Sequence, residues 1–142
     1  MDPRHFKRPE SVLVVVHTDT EVLLIKRVDH ADFWQSVTGS LEWGEVAKTA
    51  AARELAEETG IRDVLLRDTG VRRSYKIIEA WQPRYHPNST RNHESLFYCY
   101  LNSRRDITLS PDEHSEYQWL PFMQAKDRVY SWSNRLAIES LI

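Results

Sequence analysis

The sequence predicts an α+β fold built on a mixed β-sheet, and three observations carry that expectation. One segment, Gly44 to Thr59, has the composition of a helix and runs into a glycine. Apolar, β-branched and aromatic runs stand on both sides of it, without the regular strand–helix alternation of a parallel α/β chain. At 142 residues the chain suits one hydrophobic core, so a single domain over 1–142 is expected.

Taken in order, Val12-Leu13-Val14-Val15-Val16 follows Pro9 and makes Glu10 to His17 a buried strand. Thr18-Asp19-Thr20 reads as a turn and Glu21 to Arg27 as the second strand. Asp29-His30-Ala31-Asp32 belongs to a loop, and Gln35 to Thr38 forms a short strand ending at Gly39. The helix from Gly44 to Thr59 rests on Ala47, Ala50, Ala51, Ala52, Leu55 and Ala56, with Gly60 where a C-terminal cap belongs. Val64 to Ile78 is extended, with a break near Asp68-Thr69-Gly70. Gln82 to His93 holds Pro83, Pro87 and Asn88 and reads as a long loop, of a length that often serves function. Glu94 to Leu101, Ile107-Thr108-Leu109 and Tyr117-Gln118-Trp119-Leu120 are further strands. Phe122 to Val129 and Ser133 to Ile142 are helices, the last capped by Asn134, Ser131 or Ser133.

An apolar share of 41% and a charged share of 28% fit an ordinary globular protein. The net charge of −2, with both signs spread along the chain, argues against nucleic-acid binding, which needs a basic surface. It leaves room for an anionic small molecule, because a metal ion reconciles an acidic site with a negative ligand. No apolar run is long enough for a membrane-spanning helix, and Met1 to Pro9 lacks the apolar stretch of a secretory signal. Cys99 is the only cysteine, so it is expected as a buried core thiol rather than half of an internal disulfide. These features together predict a cytoplasmic protein.

The chemistry is concentrated between Gly39 and Ile61. On a helix, Glu54, Glu57 and Glu58 are three and four positions apart and share a face. Like charges so placed repel, and hard divalent cations prefer carboxylate oxygens. Such a face can hold Mg2+ or Mn2+ against a polyphosphate, or it can be a solvated acidic surface. Gly39 and Gly44 flank the loop before the helix, where the backbone must turn tightly. Glu45 begins the helix, where a carboxylate suits the dipole. Arg53 lies two turns later and can pair with Glu45 or another of the acids, in the site or as a surface ion pair.

The stretch Gly39-Ser40-Leu41-Glu42-Trp43-Gly44-Glu45, then seven residues, then Arg53-Glu54-Leu55-Ala56-Glu57-Glu58-Thr59-Gly60-Ile61 resembles the Nudix hydrolase signature at every specified position. The resemblance implies an α/β/α sandwich in which this stretch forms loop, helix and loop. It also implies metal-dependent hydrolysis of a phosphoanhydride bond. Glu54, Glu57 and Glu58 become the metal carboxylates, Gly39 supports the site through its backbone, and Arg53 and Glu45 are the orienting pair.

Other segments resemble a bacterial branch of that family that cleaves dihydroneopterin triphosphate in folate synthesis. They are Lys7-Arg8-Pro9, Asp32 to Ser40, Thr90-Arg91-Asn92 with Glu94-Ser95, Glu113-His114, and Ser131 to Arg135. That resemblance implies water attack at the α-phosphorus of a small-molecule triphosphate and release of pyrophosphate. Lys7 and Arg27 then serve as fixed cations for the phosphates, or as ordinary surface charge. Thr38 bonds substrate or is a plain strand residue. Tyr75, Lys76, Ile77 and Ile78 form a pocket wall or belong to the core. Trp34 stacks on the heterocycle or is a core side chain. Ser131 touches substrate or caps a helix. Glu113, after the turn Ser110-Pro111-Asp112, is a fourth metal ligand, a general base, or a surface acid. His30, His86, His93 and His114 lack metal-ligand spacing and are expected in solvent. Two further readings are a housecleaning pyrophosphohydrolase for deoxynucleoside triphosphates and a non-catalytic nucleotide sensor, the latter expected to have lost signature acids that are all present here.

Overall fold

The computed structural model describes residues 2–30 and 32–142; Met1 and the expected loop residue Ala31 lie outside them. Strand β1 (Glu10–His17) turns back into β2 (Glu21–Arg27). The turn is held by Thr18, whose hydroxyl oxygen accepts from the N–H groups of Thr20 and Glu21 at 3.3 and 3.1 Å. There follow β3 (Trp34–Gln35), β4 (Val37–Ser40), helix α1 (Ala47–Thr59) and β5 (Arg67–Lys76). A 3-10 turn (Glu79–Arg84), β6 (Arg91–Tyr100), β7 (His114–Pro121), α2 (Phe122–Arg128) and α3 (Trp132–Glu139) complete the chain.

The seven strands form one mixed sheet in the order β3-β2-β1-β6-β5, with β4 also paired to β1 and β7 to β2. β1 and β6 run parallel; the other pairs are antiparallel. The unbroken apolar run of β1 follows from its place at the centre, buried on both faces. Side chains alternate across a strand, so Val12, Val14 and Val16 meet Ala50, Ala51 and Leu55 of α1. Leu13 and Val15 face the other way, toward Ala125 of α2 and Ala137 and Ile138 of α3. The result is the expected three-layer α/β/α arrangement, with each buried aliphatic side chain contributing roughly 1.5–3 kcal/mol. Cys99 is buried in the α1-side core, where burial pushes its thiol up to about 11. Among the described residues no helix is long and apolar enough to cross a membrane.

Several elements differ from the sequence expectation, each for a definable reason. The strand expected at Gln35 to Thr38 is interrupted at Ser36. There the backbone N–H donates to Asn134 Oδ1 (2.8 Å) while Asn134 Nδ2 donates to Ser36 Oγ (2.9 Å). An α3 side chain thus takes the place of a ladder hydrogen bond. The main helix starts at Ala47 rather than Gly44, because Gly44 sits at φ +86° and Val46 is extended. Glu45 therefore precedes the helix instead of opening it. Ile107-Thr108-Leu109 is not a strand. Ile107 and Leu109 pack on the core, and the Thr108 N–H donates to the Thr59 carbonyl (2.9 Å) at the end of α1. The expected loop from Gln82 to His93 holds part of the 3-10 turn, with Pro83 inside it, and β6 already begins at Arg91. The break in the extended segment falls where expected, at Gly70 with φ +74°, where the register of β5 against β6 shifts. Ser131 is the residue that caps α3, its side chain accepting from the Asn134 N–H.

Gly60 ends α1 in the left-handed region at φ +78°, and a Cβ there would lie 3.2 Å from Thr108 Cβ. Gly60→Ala is expected to lower unfolding free energy by about 1–2 kcal/mol, the cost of a left-handed alanine. A urea titration should show a lower midpoint at unchanged slope.

Candidate active site

The loop before α1 is bound to the helix by Arg53. Its Nε and Nη2 hold the two Glu45 carboxylate oxygens at 2.9 and 2.8 Å. Nη1 donates to Glu54 Oε1 at 2.8 Å, and Nη2 also reaches the Ser40 carbonyl at 3.1 Å. Arg8 clasps the same loop from outside, donating to the Glu42 and Glu45 carbonyls at 2.9 and 2.8 Å. Charge-assisted, two-pronged bonds of this kind fix orientation as well as adding strength. They hold the Glu45 carboxyl below the usual range and the Arg53 guanidinium fully charged.

Glu54 and Glu58 are one helical turn apart and both point toward the cleft beside β4, whereas Glu57 is rotated out of it. Glu57 is more than half exposed and pairs with Arg53 at 3.5 Å. Glu54 packs directly on Gly39: a Cβ at that position would fall 2.1 Å from the Glu54 carboxyl carbon. Only glycine permits that approach of strand to side chain. Glu58 is 1% exposed, and neither of its carboxylate oxygens has a hydrogen-bond partner. Burial and the facing Glu54 carboxylate push its pKa well above the ordinary range; burial likewise raises Glu54.

Glu113 reaches the same point from the far side of the sheet's edge. Its turn is fixed by its own N–H to the Ser110 carbonyl (3.0 Å) and by the Val28 N–H to its carbonyl (3.0 Å). The next residue, His114, opens β7 and is buried, contrary to the expectation of a solvent-facing histidine. Its Nε2 lies 3.6 Å from Glu58 Oε1 and 3.1 Å from Gln35 Nε2. Burial and the nearby Arg27 charge hold its pKa down to about 4, so the ring is neutral at pH 7. Glu58, Glu113 and His114 present ligand atoms all within 4.8 Å of one another. The residues fit a hard divalent cation, because the orphaned Glu58 oxygens need a counter-charge in a place that gives them no donor. His30 and His93 are exposed, and His86 sits edge-on to Phe6.

This acidic cleft, of about 580 Å³, opens into an aromatic cavity of about 450 Å³. Lys7, Arg27, Gln35, Thr38, Gly39 and Arg84 line both. Lys7 is tied in by its backbone N–H to the Arg84 carbonyl (2.9 Å), and burial together with Arg84 and Arg27 lowers its pKa. Arg27 pairs with Asp29 at 2.8 and 2.6 Å and lies over the Phe33 and Trp81 rings. Thr38 spends its hydroxyl proton on the Val12 carbonyl (2.9 Å). Tyr75, Lys76, Ile78 and Ser131 line the aromatic cavity, whereas Ile77 is buried and lines neither space. Trp34 lines neither space as well. Phe33 and Gln35 face the cavity, so alternation turns Trp34 into the core beneath α2 and α3, under the Arg128 guanidinium.

Three residues lining the acidic cleft were not singled out as site residues by the sequence: His114, Arg84 and Gln35. His114 had its adjacency to Glu113 as a signal, and Arg84 its place in the polar segment after β5. Gln35 had only its place in the resembling segment Asp32 to Ser40, because its role depends on which face of a two-residue strand it occupies. A further consequence concerns Gly39. In Gly39→Ala the new methyl displaces the Glu54 carboxyl, the mobile end of a side chain, so stability should change by less than about 1 kcal/mol while kcat/KM falls about 10²-fold. Parallel thermal melts and kinetics check this; an alanine variant with full activity would show that Glu54 does not need its position.

The chain matches the NUDIX domain model over residues 7–139. It is 43% identical over 148 aligned residues to the dihydroneopterin triphosphate diphosphatase of Escherichia coli (strain K12), covering 100% of this chain and 97% of that protein. It is 35% identical over 143 residues to the protein of the same name from Haemophilus influenzae, covering 96% and 89%. Among solved structures, that of the E. coli dihydroneopterin triphosphate pyrophosphohydrolase superposes with a TM-score of 0.88 at 42% identity, covering 95% of each chain. Nudix hydrolases depend on divalent metal, in keeping with the acidic group described above. A signature intact at every specified position, a family match over nearly the whole chain and full-length similarity to two of its enzymes make this protein a member of the Nudix hydrolase family.

Proposed function

We propose that this protein is a metal-dependent pyrophosphohydrolase that converts dihydroneopterin triphosphate to dihydroneopterin monophosphate and pyrophosphate, a step of folate biosynthesis. The observation that carries the reading is the continuity of two unlike spaces: an acidic cleft with orphaned carboxylate oxygens runs into an aromatic cavity, with Lys7, Arg27 and Arg84 at the junction. A triphosphate joined to a flat heterocycle matches that sequence of environments. The two full-length relatives named for this substrate support it. The reading takes residues 1–142 as one domain, cytoplasmic, with a small-molecule substrate and neither nucleic acid nor membrane as partner.

Glu54, Glu58 and Glu113 would hold Mg2+, with Mn2+ as the substitute, and Gly39 admits the Glu54 carboxyl to its place. When bound, the cation supplies neutralisation of phosphate charge and acidification of water. Glu57 lies outside the cleft and serves through the Arg53 network. Lys7, Arg27 and Arg84 orient the triphosphate, and Arg53 orients Glu54. The attacking water forms a bond from its oxygen to the α-phosphorus. The bond from that phosphorus to the α,β-bridging oxygen breaks, and pyrophosphate leaves with the electron pair. The water's proton passes to a carboxylate, and the turn that brings Glu113 into the lining of the cleft supports Glu113 as that base.

At one fixed Mg2+ concentration, kcat/KM for dihydroneopterin triphosphate should exceed that for every common deoxynucleoside triphosphate by at least tenfold or so. Hydrolysis in oxygen-18 water should label the pterin monophosphate; label confined to pyrophosphate would move the attack to the β-phosphorus. A dNTP preferred over the pterin substrate would turn the assignment to housecleaning hydrolysis.

Glu58→Gln removes charge and keeps shape. Turnover should fall by about two orders of magnitude or more in saturating Mg2+, as for the loss of a main electrostatic element. Near-normal turnover would remove Glu58 from the metal group.

A further inference from the structure

The aromatic cavity contains one acidic side chain that the hydrolytic chemistry does not use. Glu94 lies on β6, opposite Ser11 of β1 and Arg73 of β5, and lines the cavity although it is 5% exposed. It stands apart from Glu58, Glu113 and His114, the potential metal-binding group found among the described residues. A buried carboxylate is costly unless donors surround it. Here the Tyr75 hydroxyl donates to Oε2 at a long 3.3 Å, and the Ser133 hydroxyl is the other nearby donor.

Donors on the neighbouring residues have partners of their own, while Asn92 Oδ1 is buried without one among the described residues. Asn92 Nδ2 donates to Ser11 Oγ (2.7 Å) and to the Tyr75 hydroxyl oxygen (3.0 Å). Asn134 is spent on Ser36 through both its amide atoms. Arg73 Nη1 donates to the Ser133 carbonyl (3.3 Å). An ionised carboxylate has about four acceptor positions, so Glu94 retains capacity for two further donors. Burial raises its pKa, against the pull of the Ser133 and Tyr75 hydroxyls and the Arg73 charge, so a ligand bringing N–H donors would favour its ionised form.

The charges are arranged along the cavity with a direction. Lys7, Arg27 and Arg84 stand where it joins the acidic cleft; Glu94 stands on the sheet floor between Tyr75 and the start of α3. Tyr75 and Trp132 make an edge-to-face pair with ring centroids 6.3 Å apart, and Phe33 and Tyr130 stack at 4.0 Å. These walls accept a flat ring, and aromatic surface alone does not distinguish one heterocycle from another.

We infer that Glu94 is the residue that selects the heterocycle, its carboxylate accepting the adjacent ring N–H and exocyclic amino group of a 2-amino-4-oxopyrimidine edge. This rests on the proposed triphosphate hydrolysis and names what the second cavity reads. Pterin and guanine share that edge. Hypoxanthine lacks the amino group, and adenine and cytosine set a ring acceptor beside their amino group, whose lone pair the carboxylate repels. Discrimination thus combines attraction of one edge with rejection of the others.

The test compares dGTP, dITP and dATP as substrates at one saturating Mg2+ concentration, in wild type and in Glu94→Gln. Wild type should favour dGTP over dITP by about tenfold or more in kcat/KM, because a site built for two donors penalises the analogue lacking one. In Glu94→Gln the dGTP:dITP ratio should fall to within about twofold of one, mainly by loss on dGTP. A wild-type ratio near one overturns the inference without any variant, and so does a variant that loses all three substrates in equal proportion. Should Glu94→Gln fail to fold, Glu94→Asp keeps both acceptors and should retain a dGTP preference; its loss there counts against the inference. The comparison omits the pterin. Poor turnover of dihydroneopterin triphosphate would overturn the pterin assignment and leave the guanine ratio to decide the role of Glu94.

Discussion

The site depends on one guanidinium. Arg53 satisfies both oxygens of Glu45, one of Glu54 and the Ser40 carbonyl at once. Arg53, with Arg8 outside, fixes the path of the loop that precedes α1, where Gly44 sits at φ +86° and Val46 offers α1 no side-chain cap. A lysine could not replace it: its point charge lacks the planar fork that grips a carboxylate with two bonds and still reaches a third partner. Arg53 also holds Glu54 against Gly39, which brings helix and strand close enough for Glu58 to sit behind them. The ion pairs therefore matter less as stabilising contacts than as the positioning of two carboxyl groups that would otherwise repel.

That positioning stores an electrostatic conflict. Glu58 is buried and Glu54 half-buried, the two face each other, Glu113 adds a third carboxylate, and the histidine nearby is neutral rather than compensating. Folding energy comes from elsewhere, chiefly from β1 and its aliphatic neighbours packed on both sides by α1 and by α2 with α3. A core of that kind tolerates a strained polar corner, and such corners are where cations and phosphates are handled. Burial is the largest cause of the raised pKa of both Glu54 and Glu58, and a positive charge placed among the carboxylates is the remedy.

The ligand space is made by a different part of the fold. β5, β6 and the start of α3 supply Tyr75, Glu94 and Trp132, while the 3-10 turn after β5 supplies Trp81 and Arg84. None of these belongs to the loop and helix that carry the hydrolytic acids. The two spaces are therefore built from different parts of the chain, so the residues lining the second can change without altering the acidic stretch that lines the first.

Local sequence determined a good deal here. The continuous apolar run of β1, the alanine-rich helix with its terminal glycine and the acidic signature are read from residue order over short distances, and the fold keeps them, with the helix opening at Ala47 rather than Gly44. Glu113 was legible as a candidate because a turn signal precedes it. What local order could not decide was facing. Glu57 and Glu58 are neighbours in sequence, yet about 100° of helical rotation puts one in solvent and the other in the core. Trp34 and Gln35 are neighbours too, and strand alternation puts the tryptophan in the core and the glutamine in the cleft. Ser36 breaks its strand only because Asn134, far along the chain, arrives to bond it. Glu94 looks like any strand glutamate until β5 and α3 close over it. Burial is a property of what packs against a residue, so the identity of each side chain came from the sequence and its electrostatic environment from the tertiary contacts alone.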